Sequence, residues 1–202
     1  MRWARIAALA LLASAPAGAA ESLRDGDIVF QTSRSGQSLA IQRATHSPWS
    51  HVGIVFIRDG KPYVYEAIAT VRFTPLEDWT ARGDGGRYVV KRLVHPLEAK
   101  QAAKLRAAAQ PFEGRSYDPY FEWSSQRIYC SELVWKIYHD GLGIDLGALQ
   151  KLREFDLADV LVRAKMQQRY GDKVPLDEPV ISPARVFASP RLIEIKLPDR
   201  TP

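Results

Sequence analysis

The strongest constraint on the fold is a pair of strand-like segments joined by a short turn. Residues 51–57 (HVGIVFI) and 62–67 (PYVYEA) are rich in β-branched and aromatic side chains, and Arg-Asp-Gly-Lys at 58–61 separates them. Asp-Gly between apolar segments is a strong signal for a tight antiparallel hairpin, because both turn positions need a positive φ. The sequence therefore predicts an antiparallel strand pair whose register is set by a turn at Asp59 and Gly60.

This register brings a histidine and a carboxylate together. It pairs Gly53 with Glu66 and places His51, Gly53 and Glu66 on one face, because strand side chains alternate between faces. His51 and Glu66 are then diagonal neighbours, roughly 7–8 Å apart at the backbone. A carboxylate on one imidazole nitrogen fixes the tautomer and leaves the other nitrogen as a base. The alternative is a half-buried His–Glu pair that has no catalytic role. The hairpin alone does not distinguish a catalytic pair from a structural one.

Cys130 is the single cysteine of the chain, and it opens a helical pattern. Apolar residues follow it at helical spacing, which predicts a helix over 127–139 that is closed by Gly141. Cys130 would then lie in or near the first turn, where the positive end of the helix dipole favours a thiolate. If the sheet presents His51 and Glu66 there, the three residues form an activated nucleophile. The alternatives are an inert core thiol and a Cys130-bridged dimer.

The remaining patterns complete a single α+β domain. Predicted strands cover 26–31, 87–94 and 192–196, and predicted helices cover 38–45, 97–109, 154–170 and a short stretch after Ser182-Pro183. Thr-Pro-Leu-Glu at 74–77 resembles a capping box that starts a short helix through Trp79. No change of composition marks an internal boundary, so we expect residues 21–202 to form one domain.

Residues 1–20 match a secretory signal peptide. Two arginines and no acid precede a short apolar run, and small residues then lead to cleavage near Ala19 or Ala20. The uncharged stretch is shorter than a membrane span, and no later run of the mature chain is long enough to cross a bilayer. We therefore expect a periplasmic or secreted protein without stable membrane insertion. A net charge of +5 without a Lys/Arg block gives no reason to expect nucleic-acid binding.

Metal or cofactor binding has little support in the sequence. His46 lies five residues before His51 and is an alternative base or metal partner. No carboxylate or further histidine stands nearby at a ligand spacing, so we expect no cofactor and no metal site.

Four segments, taken in order, carry a resemblance to a known family. They are GDIVFQ at 26–31, ATHS with SHVG between 44 and 53, YEA at 65–67, and YCSELVWK at 129–136. The mature chain resembles the YiiX-like family of circularly permuted papain-fold proteins of the NlpC type. The resemblance implies an antiparallel sheet packed against a helix whose N-terminus bears the catalytic cysteine. It also implies Cys130 as nucleophile, His51 as base and Glu66 as the group that orients the base.

A shorter match concerns Tyr117. Gly-Arg-Ser-Tyr at 114–117 resembles the Gly-x-x-Tyr segment that precedes the catalytic cysteine in NlpC-type enzymes. The resemblance implies that Tyr117 helps to place the substrate or to steady the oxyanion together with the Cys130 backbone N–H. The alternative is an ordinary core tyrosine.

Together these patterns predict an exported cysteine amidase or peptidase with a Cys130–His51–Glu66 triad. We expect a small-molecule or peptide substrate, such as a cell-wall (peptidoglycan) peptide or a small acylated amine, and a monomeric protein. A thiol-dependent lipid hydrolase or acyltransferase is the chemical alternative. A non-catalytic ligand-binding protein that retains the cleft is the alternative from another class.

Overall fold

Eight short strands form the two sheets of the described chain. The computed structural model describes residues 21–124 and 126–198, so the predicted signal peptide lies outside the described residues. The strands are β1 (Ile28–Gln31), β2 (His51–Arg58), β3 (Lys61–Ala67), β4 (Val71–Pro75), β5 (Val89–Leu93), β6 (Gln150–Lys151), β7 (Pro179–Val180) and β8 (Leu192–Ile195). The main sheet is antiparallel in the order β4-β3-β2-β1-β5-β8, and β6 pairs with β7 in a second sheet.

The register of the central hairpin is as predicted. Arg58 pairs with Lys61 and Ile54 pairs with Tyr65 across β2 and β3. The two turn residues, Asp59 and Gly60, have φ values of 49° and 72°. Both lie in the left-handed region that an Asp-Gly turn requires. The local turn chemistry therefore confirms the predicted register at the centre of the sheet.

Six helices flank the sheets in the described residues. They are α1 (Ser38–Thr45), α2 (Leu76–Ala81), α3 (Ala99–Ala109), α4 (Cys130–Leu142), α5 (Val160–Tyr170) and α6 (Pro183–Phe187). None of the described helices is long and apolar enough to cross a membrane. The mixture of helices with an antiparallel sheet confirms the predicted α+β class.

The two faces of the main sheet bury different helices. On one face, Val52, Ile54 and Phe56 belong to a core cluster that includes Leu133 and Ile137 of α4. On the opposite face, residues of β1, β2 and β3 pack against α2; these are Val29, Val55 and Val64, with Leu76 and Trp79 of the helix. Alternating side chains thus give the sheet two apolar faces, with α4 on one and α2 on the other.

The end of α4 differs from the prediction. The helix continues past Gly141 and ends at Gly143, whose φ of 66° allows the left-handed C-cap. Gly141 instead lies where α4 crosses α3, and a Cβ there would stand 3.0 Å from the Ala108 Cβ. Gly141 is therefore a close-packing residue, and the predicted cap at this position is wrong.

The predicted capping box before α2 is also wrong. Pro75 precedes the helix without a side-chain cap, and the Thr74 hydroxyl donates to Glu66 instead. Thr74 belongs to β4, a strand that the sequence analysis did not identify. Pairing with β3 fixes this segment, and no local pattern reports that pairing.

The helix before Gly171 begins later than predicted. Asp159 caps α5 by accepting from the backbone N–H groups of Leu161 and Val162. The preceding residues, Leu152–Glu154, form a separate 3-10 turn. The predicted helix over 154–170 is therefore shorter at its start, while its end at Tyr170 and the cap at Gly171 are confirmed.

Candidate active site

The histidine and carboxylate of the central hairpin form a buried pair. His51 Nε2 lies 2.6 Å from Glu66 Oε2. The other carboxylate oxygen, Oε1, accepts a hydrogen bond of 2.6 Å from the Thr74 hydroxyl and a second one from Arg82 Nη2. Glu66 is 0% exposed, so all of its charge is balanced by protein groups. This network fixes the imidazole orientation and leaves Nδ1 as the ring nitrogen for Cys130.

The protonation of this pair follows from its partners. Burial lowers the pKa of His51, but hydrogen bonds to Cys130 and Glu66 and their negative charges raise it to about 9. Burial also opposes ionisation of Glu66, yet its contacts with His51, Thr74 and Arg82 hold the pKa of this carboxyl below its usual value. Both shifts favour a protonated His51 beside an ionised Glu66.

Cys130 reaches His51 at the end of the sheet. His51 lies on the same face of β2 as Val55, and Glu66 lies on the same face of β3 as Val64. Both side chains therefore project from the face that α2 covers. The His51 ring accordingly stacks on Trp79 of α2, with centroids 6.1 Å apart. Because α4 packs on the other face, its thiol does not face this pair across the sheet as the sequence analysis expected.

Both residues instead occupy the first position of their elements. His51 opens β2 and Cys130 opens α4. The side chains meet there within hydrogen-bonding reach of one another. Cys130 is 4% exposed, so the thiol is buried but lies beside the cleft described next. Its place in the first turn of the helix is as predicted.

Tyr117 lies beside this pair in a hydrogen-bonded chain. Gln37 Nε2 donates to Tyr117 Oη over 2.6 Å, and Arg169 Nη2 donates to Gln37 Oε1 over 2.6 Å. Arg169 also lies over the ring of Phe121, 4.7 Å from its centroid. Burial and the nearby Cys130 charge raise the pKa of Tyr117, which keeps its hydroxyl protonated.

An apolar cleft opens beside Cys130. The surface that its walls expose to the cleft is almost wholly apolar. The apolar walls come from α1, α5, the segment before α5 and the C-terminal tail: Ala40, Ile41, Ala44, Leu152, Phe155, Leu157, Val162, Met166, Val180, Ile181 and Pro183. Gln37, Lys165 and Arg169 also line it.

The C-terminal tail forms one wall of the apolar cleft and is held there by hydrogen bonds. The Ser131 hydroxyl donates to the Ile181 carbonyl over 2.8 Å, and the Ile181 N–H donates to Tyr129 Oη over 3.1 Å. These bonds join the tail to residues on either side of Cys130. The position of the proline-rich tail relative to the cleft was not evident from the sequence.

Several residues of the site carried no recognisable sequence signal. Thr74 and Arg82 hold Glu66, while Gln37 and Arg169 hold the Tyr117 hydroxyl. They come from separate segments, and only the folded chain brings them together. Gln31 ends the predicted strand over 26–31, and it pairs with His51 across β1 and β2, a pairing that no local pattern reports.

His46 is not part of this cluster. It is exposed and lies 3.4 Å from Asp156, between Nε2 and Oδ2. Among the described residues, no three His, Cys, Asp or Glu side chains are placed to hold a metal ion. The nitrogens of His51 are engaged by Glu66 and Cys130, so these residues do not fit a metal centre of three protein ligands.

Comparison with known proteins gives one consistent assignment. Residues 22–196 match the family described as permuted papain-like amidase enzyme, YaeF/YiiX, C92 family. The uncharacterized protein YiiX of Escherichia coli K12 is 49% identical over 191 residues, covering 95% of this chain and 94% of the relative.

A solved structure agrees with this match. The crystal structure of YiiX from Escherichia coli O157:H7, described as a metalloprotein, is 49% identical with a TM-score of 0.84. The similarity covers 87% of this chain and 97% of that chain. These matches confirm the predicted resemblance and the permuted papain-like fold. The chain therefore belongs to the YaeF/YiiX family of permuted papain-like amidases.

Proposed function

We propose that the protein is a cysteine amidase in which Cys130, His51 and Glu66 act as a triad. One observation carries the proposal: His51 is held between Glu66 and Cys130, and its pKa is raised to about 9. A thiolate beside an imidazolium is the active form of a papain-like nucleophile. A purely binding protein has no use for such a pair at the edge of an open cleft.

The reaction follows from this arrangement. The Cys130 thiolate attacks the amide carbonyl carbon, and negative charge develops on the carbonyl oxygen. The Cys130 backbone N–H at the start of α4 and the Tyr117 hydroxyl are the donors proposed for that oxygen. When the C–N bond breaks, His51 gives its proton to the leaving amine and becomes neutral. It then removes a proton from water, which attacks the thioester and releases a carboxylic acid.

The apolar cleft indicates the acyl side of the substrate. After the attack the acyl group is attached to Cys130, and Cys130 lines the apolar cleft. An apolar acyl group would bury its surface against Ile41, Leu157 and Met166. The cleft therefore favours an acylated amine over a hydrophilic cell-wall peptide. The same observation supports a second candidate, a hydrolase or acyltransferase for apolar acyl esters, and rates on a matched amide and ester separate the two.

We also propose export and a monomeric state. The signal-peptide pattern of residues 1–20 supports export, and N-terminal sequencing of the protein recovered outside the cytoplasm tests it. The burial of Cys130 argues against a disulfide-linked dimer. A non-reducing gel that shows a dimer band would contradict this.

The pH dependence of Cys130 alkylation tests the triad. His51 is protonated below about pH 9, and an imidazolium beside a thiol favours the thiolate, so the proposed triad predicts that wild-type Cys130 reacts with iodoacetamide well below pH 7. His51→Ala should lose this acidic phase and follow an ordinary thiol curve. Glu66→Gln should weaken the phase, since it removes one negative partner of the imidazolium. Intact mass measured across pH 4 to 9 reports the labelling.

His139→Ala is the matched control for this experiment. His139 is an exposed histidine at the far end of α4, where it contacts Asp145. Its variant should label like the wild type. If the wild type and His51→Ala give the same curve, the triad is wrong and a ligand-binding role becomes the better explanation.

A further inference from the structure

A second cleft opens beside His51, and most of the residues that line it carry polar or charged side chains. We call it the polar cleft; it is lined by Gln31, Ser33, Arg34, Ser35, Gln37, Ser50, His51, Ala67, Ile68, Ala81, Arg82 and Tyr117. Its lining has two arginines and no carboxylate. It shares Gln37 with the apolar cleft, so the two clefts adjoin at the site.

The proposed reaction assigns a different part of the substrate to each cleft. Cys130 lines the apolar cleft, whereas His51 lines the polar cleft. An acyl group must lie beside the thiol to which it becomes bonded. A leaving amine must lie beside the imidazolium that protonates it. If Cys130 and His51 act as proposed above, the polar cleft is therefore where the leaving amine binds.

The charges of the polar cleft are not balanced by its own lining. Arg34 is exposed and forms no ion pair with any described residue. Arg82 uses one nitrogen to bind Glu66 and leaves its other guanidinium donors unassigned. Arginine presents a planar set of donors that matches the geometry of carboxylate and phosphate groups.

Gln31 adds an independent polar group. Its side chain is 1% exposed, and neither the amide nitrogen nor the amide oxygen has a hydrogen-bond partner among the described residues. Buried amides without a partner are costly and rare in folded proteins. Its place in the lining of the polar cleft, beside His51, makes Gln31 a group that a bound ligand would satisfy.

We propose that the polar cleft binds an anionic group, a carboxylate or a phosphate, on the amine that leaves, with Arg34 as the main cationic contact. This inference rests on the proposed function and makes the substrate an apolar acyl amide of an anionic amine. Hydrolysis then consumes one water, breaks the C–N bond, and releases an apolar carboxylic acid and an amine that retains its anion. No further reactant is needed.

Three substrates that share one acyl chain test the inference. They are N-decanoyl-glycine, its neutral analogue N-decanoyl-glycinamide, and the N-decanoyl amide of 2-aminoethyl phosphate. We expect kcat/KM to be about tenfold higher for an anionic substrate than for glycinamide, the size of one charge-assisted contact. The ratio between glycine and aminoethyl phosphate distinguishes carboxylate from phosphate.

Arg34→Gln and Arg43→Gln complete the design. Arg34→Gln should lose the preference for anions, so that its kcat/KM on the anionic substrates falls to about its own value on the glycinamide substrate. Arg43 is an exposed arginine on α1 that lines neither cleft, so Arg43→Gln should keep the preference.

Equal rates on all three substrates, or a preference that survives in Arg34→Gln, would overturn the inference but leave the amidase proposal standing. Failure to cleave any of the three would overturn the proposed function and the inference with it.

Discussion

Gln37 has a single possible orientation, which determines what the Tyr117 hydroxyl can do. Arg169 has donors only, so it must face the oxygen of the Gln37 amide. The Gln37 nitrogen then points at Tyr117 Oη and donates to it. Because this oxygen already accepts a hydrogen bond, its own proton is available for another acceptor. Arg169 and Gln37 are thus positioning residues for Tyr117.

A double-variant experiment tests this chain of contacts. Tyr117→Phe should lower kcat about 100-fold, as expected for loss of an oxyanion donor, with a smaller effect on KM. Gln37→Ala should lower kcat in the wild type and have no further effect in Tyr117→Phe, because it acts through the hydroxyl. Additive losses in kcat would contradict the positioning role. Arg43→Gln serves as the control, because Arg43 is an exposed residue of α1 that lines neither cleft.

At the scale of the strands, Gly53 sets the spacing of the site. A Cβ at this position would stand 2.4 Å from Val64 Cγ1 and 2.9 Å from the Tyr65 carbonyl oxygen. Both distances are too short, and the carbonyl belongs to the backbone of β3. β2 and β3 approach each other this closely only because residue 53 has no side chain.

Gly53→Ala should therefore damage both stability and the site. We expect the free energy of unfolding to fall by about 1–3 kcal/mol, the usual cost of overpacking. Displacement of β3 should also weaken the His51–Glu66 contact and reduce acidic alkylation of Cys130. Urea unfolding and mass labelling measure the two effects. Gly36→Ala, where no atom lies within 4 Å of the added Cβ, is the control and should be close to neutral.

The elements also show what the sequence could predict. Helix α1, the β2–β3 register and the place of Cys130 in the first turn of α4 depend on turns, caps and periodicity, which are local properties; α4 itself begins at Cys130, three residues later than predicted. β4 and the β6–β7 pair depend on partners from elsewhere in the chain, and they were not predicted. Gly141 was misread because a glycine needed for helix crossing looks the same in sequence as a glycine that ends a helix.

The same distinction separates the parts of the candidate site. His51 and Glu66 come from one hairpin, so strand alternation and register were enough to predict their proximity. Arg82 and Arg169 have no such local relation to the residues they contact. The meeting of Cys130 and His51 around the end of the sheet is likewise a property of the packed layers, and the sequence reading placed them on one face.

At the scale of the whole molecule, a buried ion pair ties the N-terminal segment to the sheet. Arg92 donates to both oxygens of Asp27, at 2.6 and 2.8 Å, and to the Ser22 carbonyl at 2.8 Å. Arg92 and Asp27 are 6% and 0% exposed. Asp27 precedes β1, while Arg92 lies on β5. The pair therefore joins the segment before β1 to the neighbouring strand β5.

Arg92→Met should lower the free energy of unfolding by about 3–5 kcal/mol, because it leaves the Asp27 charge buried without its partner. Asp27→Asn combined with Arg92→Met should recover part of this loss, since the unpaired charge is then removed. Denaturant unfolding of the wild type, Arg92→Met and the double variant measures the loss and its partial recovery. A double variant that is less stable than Arg92→Met would contradict the charge-burial explanation.

Residues 180–183 form one wall of the apolar cleft, and they are the last residues of this cleft to be synthesised. A chain leaves the ribosome N-terminus first. The hairpin that carries His51 and Glu66 is therefore made first, Cys130 later, and the wall later still. A chain that ends before Val180 already contains His51, Glu66 and Cys130, yet it lacks one wall of the apolar cleft. We therefore expect such a truncated chain to lose the proposed activity on an apolar acyl amide.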